Sequence, residues 1–121
     1  MLTKRAQNER TSTMLRIYPF ILETLTVLRP VILRIERCDR DLGRQARRCG
    51  SSIALGVAEG MYSRGRNRAA RYHTALGSAR ETMSCIETAV ALGYLPEADA
   101  SVMDRLDRIV GTLVKLVERN S

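Results

Sequence analysis

The chain has 121 residues, a net charge of +7, 45% hydrophobic and 27% charged residues, a length that fits one domain spanning 1–121 and leaves no room for a second. No apolar run approaches the roughly 18 residues that cross a bilayer, and residues 1–10 are too polar for a secretory leader, so the chain reads as cytoplasmic. With no Trp, one Phe and four Tyr, the composition argues against a sandwich or barrel and for a core of Leu, Ile, Val, Ala and Met packed helix on helix.

The first element follows from Met14, Tyr18, Ile21, Leu25, Leu28, Ile32 and Ile35, whose alternating four- and three-residue steps lay one apolar seam along a helix. We place it at about 13–37, capped by Ser12 or Thr13, with Pro30 expected to kink it. A second seam, Leu42, Ala46, Cys49, Ile53, Gly56 and Gly60, predicts a helix over about 40–62 capped by Asp39 or Asp41. Ser63, Gly65 and Asn67 break the chain. Tyr72, Leu76, Ala79, Met83, Ile86 and Val90 then predict a third helix over about 67–92, stopped by Gly93. Val102, Leu106, Ile109, Leu113 and Leu116 predict a fourth over about 97–118, with Pro96 at its start. Four such stripes joined by short connections specify an all-α, antiparallel up-down four-helix bundle. Apolar residues off the seams, Phe20, Val27 and Val31 on helix 1 and Val110, Val114 and Val117 on helix 4, suggest that these two helices also face another subunit.

Charge is distributed unevenly. Residues 37–71 hold nine Arg against Asp39, Asp41 and Glu59, whereas residues 72–121 are slightly acidic. Arg40, Arg44, Arg47 and Arg48 share one face of helix 2, and Arg64, Arg66, Arg68 and Arg71 cluster in the next loop and the start of helix 3. Guanidinium groups fork onto phosphate oxygens, so these eight residues are the candidate nucleic-acid contacts, with RNA or single-stranded DNA as the ligand. The few aromatic residues argue against a Phe/Tyr stacking platform. The alternative is a scaffold whose basic face docks an acidic protein.

Catalytic chemistry is sparse. One His and the scattered Cys38, Cys49 and Cys85 do not make a zinc site, and the thiols read as reduced and packed. There is no phosphate-cradling glycine loop and no Ser–His–Asp arrangement. Arg66-Asn67 followed by His73 does fit the spacing of HEPN-type ribonucleases, where an arginine and an imidazole would assist attack by a 2′-hydroxyl. An arginine seven residues before the one His is weak support in so arginine-rich a chain, and the chain is read as a non-enzyme without metal or cofactor.

The stretches QARRCGSSIALGVAEG (45–60), YHTALGSARE (72–81) and LGYL (92–95) resemble a four-helix-bundle family first noticed as proteins encoded in intervening sequences of bacterial 23S ribosomal RNA genes. Gln45, Arg47, Arg48, Ser52, Ile53, Ala58, Glu59 and Gly60 carry the first part, Tyr72, Ala75, Gly77, Ser78 and Glu81 the second, and Leu92, Gly93 and Tyr94 the last. Gly56 stands where the family has Asn, and Ala54 where it has Pro, so no role of that amide carries over. The resemblance implies a homopentameric ring. A related protein, the accessory determinant of diversity-generating retroelements, binds a reverse transcriptase and nucleic acid, which makes such an enzyme a conceivable partner by analogy. On physical grounds, Gly56, Gly60 and Gly77 would let helices 2 and 3 approach closely. Ser52, Glu59, Ser78 and Glu81 would clamp that contact, with Arg47, Arg48 or Tyr94 as partners, in preference to Glu59 and Glu81 acting as a catalytic carboxylate pair.

Overall fold

The computed structural model describes residues 4–121, with side-chain environments from residue 16 onward. Four helices follow one another: α1 (Lys4–Cys38), α2 (Arg40–Tyr62), α3 (Arg66–Ala91) and α4 (Ala100–Asn120), with no strand among the described residues. Each packs on its neighbour in sequence, and α4 returns to α1. Facing pairs run in opposite order along successive helices: Gln45 meets Glu81 and Gly60 meets Tyr72, so α2 and α3 are antiparallel.

The seams form the core. Ile21, Leu28 and Ile35 of α1, Ile53 and Val57 of α2, Tyr72, Ala79 and Ile86 of α3, and Leu106, Ile109, Leu113 and Leu116 of α4 are buried together. Tyr18, Leu25, Leu42, Met83 and Val90 sit half-buried at its margin. The place of Met14 in the seam lies outside the residues whose side chains are described. Two buried threonines interrupt the apolar rows, and both hydroxyls are satisfied: Thr24 donates to the Phe20 carbonyl at 2.8 Å and Thr82 to that of Ser78 at 2.8 Å.

Several boundaries differ from the sequence reading. Helix α1 begins at Lys4, so Ser12 and Thr13 lie inside it and not at its cap. It also continues unbroken through Pro19 and Pro30, both on its exposed side, where the carbonyls left without a donor can meet water. Pro96 does not start α4. Residues 92–99 form an irregular connection that tucks Leu95 under the bundle, and Asp99 caps α4 by accepting from the Val102 amide at 3.1 Å. Off-seam Phe20, Val31, Val110, Val114 and Val117 are half-buried against the core, so most of the extra apolar width belongs to packing within the chain. Leu22, Val27 and Leu33 of α1 remain exposed.

One polar contact ties the corners. Asp39 caps α2, its Oδ1 accepting from the Leu42 amide at 3.0 Å, while its Oδ2 accepts from the Tyr94 hydroxyl at 3.1 Å. Gly93, at φ 82°, makes that reach available. Its left-handed turn closes α3 with bonds from the Gly93 amide to Val90 and from the Tyr94 amide to Ala89, the arrangement that satisfies the last carbonyls of a helix. The Leu42 amide, with Tyr94 and the Asp41 amide adding, outweighs desolvation and holds the Asp39 carboxyl below its ordinary 3.8, while Asp39 raises the Tyr94 hydroxyl. A carboxyl with a lowered folded pKa contributes stability above 3.8 that disappears as pH falls through the folded value. Asp39→Asn keeps a capping oxygen but no charge. Wild type should therefore melt higher than this variant at pH 7, and the gap should close as pH drops below 3.8. A gap unchanged between pH 7 and the acid limit of folding would show that the charge contributes nothing.

Candidate nucleic-acid interface

The arginines that look alike in sequence separate in space according to their acceptors. On α2, Arg40, Arg44, Arg47 and Arg48 are all exposed. Arg47 leans back to α1, where its Nε donates to Glu36 Oε1 at 3.0 Å and its Nη2 also contacts that oxygen. Arg44 and Arg48 turn toward α3. Together with Asp41, Gln45, Cys49 and Ser52 of α2 and Ser78 and Glu81 of α3, they line a groove of about 330 Å³. Gln45 Nε2 donates to Glu81 Oε1 across it at 3.2 Å. No carboxylate lies within ion-pair distance of Arg44 or Arg48 among the described residues, although Asp41 and Glu81 line the same groove.

The floor of the groove is neutral. Burial, with a thiol hydrogen bond to Glu81 and the charge of that carboxylate adding, pushes the Cys49 thiol up to about 12. Burial and then Glu81 also raise Cys85. These thiols are protonated at neutral pH and serve neither as nucleophiles nor as ready metal ligands. Cys38 is exposed and does not belong to the packed set.

The second cluster is largely committed to the fold. Arg68 is half-buried, and its Nε donates to the carbonyls of Ser63 at 2.9 Å and Gly60 at 3.1 Å. It thereby satisfies the open end of α2, where a cation is also favoured by the helix dipole. Arg71 pairs with Glu59 at 3.5 Å, both half-exposed to water. Arg64 and Arg66 remain exposed without a partner among the described residues. His73 is likewise exposed, two helical turns beyond Arg66 and outside the α2–α3 groove.

The clamp expected between α2 and α3 exists with different partners. Glu59 takes Arg71 and Glu81 takes Gln45, while Arg47 goes to Glu36 and Tyr94 to Asp39. Glu59 and Glu81 are exposed and far apart along the hairpin, level with Arg71 and Gln45 respectively, so they form no carboxylate pair. Gly56 and Gly60 do allow close approach, since a Cβ at Gly56 would lie 3.0 Å from Ala75 Cβ. Gly77 is exposed, with open space where a Cβ would stand, and plays no part in that contact. Sequence reasoning passed over Tyr62, which is 88% exposed beside Glu59 and Arg71. Its position two residues beyond the last seam residue, at the end of α2, was the available signal.

A family model described as 23S rRNA-intervening sequence protein matches residues 32–115, which include all of α2 and α3 and every residue of the groove. The chain belongs to this family. Comparison with curated proteins and with solved structures returns no match. The family's matched segment begins within α1 and ends within α4, so the groove lies well inside it. No helix among the described residues is long and apolar enough to cross a membrane.

Proposed function

We propose that the protein is a non-enzymatic binding module for RNA or single-stranded DNA, and that Arg44 and Arg48 in the α2–α3 groove are its principal phosphate contacts. The observation that carries this reading is the absence of an ion-pair partner for either guanidinium among the described residues, beside Arg47, Arg68 and Arg71, which are each engaged within the chain. Guanidinium groups left open on a rigid helix can take phosphate oxygens with little reorganisation. The family name refers to ribosomal RNA and fits an RNA-related role. Arg40, Arg64 and Arg66 widen the positive surface. A second copy of the chain covers exposed Leu22, Val27 and Leu33 of α1 in this reading, and the assembly repeats the groove.

The test is fluorescence anisotropy of labelled single-stranded RNA and DNA across a salt series. Micromolar or tighter binding is expected at low salt, with a steep loss as salt rises, because phosphate contacts release counterions. Binding that ignores salt, or no binding at low salt, would overturn it in favour of a scaffold for an acidic protein.

A further inference from the structure

The α2–α3 groove has a property that phosphate binding alone does not use. One wall offers two cations, Arg44 and Arg48, and the other offers acceptors, chiefly the Glu81 carboxylate, with the Ser52 and Ser78 hydroxyls between. A purely anionic ligand, such as an acidic peptide, would be repelled by Glu81 and Asp41. The ligand that suits both walls carries a phosphate and, a few ångströms away, an edge rich in N–H donors. A nucleotide does.

We propose that the groove takes one extruded nucleotide of the bound strand and reads its base as guanine, through Glu81 accepting from the base edge. This rests on the nucleic-acid reading above and adds a base preference to it. A carboxylate has about four acceptor positions on its two oxygens. Gln45 Nε2 occupies one on Oε1 at 3.2 Å. Glu81 lines the groove, and Gln45 tethers one of its oxygens from the facing helix, which leaves its other oxygen for a ligand. Guanine presents two adjacent donors, N1–H and the N2 amino group, spaced to meet the two oxygens of a carboxylate. Adenine and cytosine present an amino group beside a ring-nitrogen acceptor, which Glu81 would repel. Uracil presents one N–H between two carbonyls, which fits no better. The volume of about 330 Å³ lies at the small end of ligand pockets and suits one base, while a duplex cannot enter. Phosphate contacts by Arg44 and Arg48 position the strand, and the base contact specifies it.

The experiment compares two labelled oligouridylates, one carrying a single guanosine and the other inosine at the same place, which removes only the N2 amino group. Wild type should bind the guanosine strand about ten-fold more tightly, the value of the one charge-assisted hydrogen bond that inosine lacks. Glu81→Gln, which loses the two-oxygen acceptor, should bring the two strands to the same affinity. Glu87→Gln, exposed on the same helix outside the groove, should keep the difference. Equal wild-type affinity for both strands, with salt-sensitive binding intact, overturns the base preference alone. No binding of either strand at low salt overturns the nucleic-acid reading and this one with it.

Discussion

Gly60→Ala is expected to destabilise the bundle by about 2 kcal/mol, although alanine is the better helix former. The new Cβ would stand 2.4 Å from Tyr72 Cε1 and 2.7 Å from Cδ1, both on a ring with no solvent exposure. The ring is enclosed by the core and has no open side to move into. Overpacking at so short a contact costs about 3 kcal/mol, near the upper end of the usual range. The gain from replacing a helical glycine, here in the last turn of α2, offsets at most about 1 kcal/mol of that. Gly77→Ala supplies the internal comparison, because the same substitution meets open space on an exposed face of α3. There only the propensity gain remains, and the variant should be more stable than wild type by up to about 1 kcal/mol. Urea unfolding of the two variants reads both signs in one experiment. A Gly60→Ala protein as stable as wild type would mean that α2 and α3 do not pack through the glycine face.

The second large effect concerns binding. Replacing Arg44 and Arg48 together with Ala should weaken single-stranded RNA affinity about thirty-fold at moderate salt, taking each contact as about 1 kcal/mol after discounting for exposure. Arg68→Ala should behave in the opposite way. It removes donors from the Gly60 and Ser63 carbonyls at the end of α2, so the melting temperature should fall while RNA affinity holds. The pair of results separates an arginine that faces a ligand from one that finishes a helix. Affinity lost equally in both would point to diffuse charge in place of a defined groove.

Those two arginines also mark the boundary of what sequence could reveal. The bundle was readable because burial imposes a period: Ile21, Leu28 and Ile35 recur every seven residues, and Leu106, Ile109 and Leu113 are three and four apart, whatever the rest of the chain does. Asp39 and Gly93 were readable for a similar reason, since capping is a local interaction between a side chain or a permissive backbone and amides a few residues away. Pro96 misled because a proline suits the first turn of a helix but equally suits an irregular connection. Asp99 decided the matter by reaching the Val102 amide. The start of α1 had no local mark near Ser12 that would exclude a longer helix.

The site was legible as a set of residues and not as a set of partners. Gln45, Arg48, Ser52, Ser78 and Glu81 stand in the motifs that stood out in the sequence, and the structure gathers them around one groove. Their pairings depend on chain separation. Glu36 captures Arg47 from eleven residues away, Glu81 takes Gln45 from 36 away, and Tyr94 finds Asp39 across 55. No spacing rule encodes such choices, because each is settled by which acceptor the folded hairpin brings nearest. Arg68 is the clearest case: its carbonyl acceptors become an open helix end only once α2 has stopped at Tyr62.

The measurement that bears most directly on the central claim is the salt dependence of RNA binding for wild type and for the Arg44→Ala, Arg48→Ala protein. Each phosphate neutralised on a single strand contributes about 0.7 to the slope of log affinity against log salt. Two lost contacts should therefore make the slope shallower by about 1.4 per bound chain. That change would establish the α2–α3 groove as the place where the strand's phosphates sit. A double variant with the wild-type slope and affinity would contradict the account, since the two open guanidinium groups would then touch no phosphate at all.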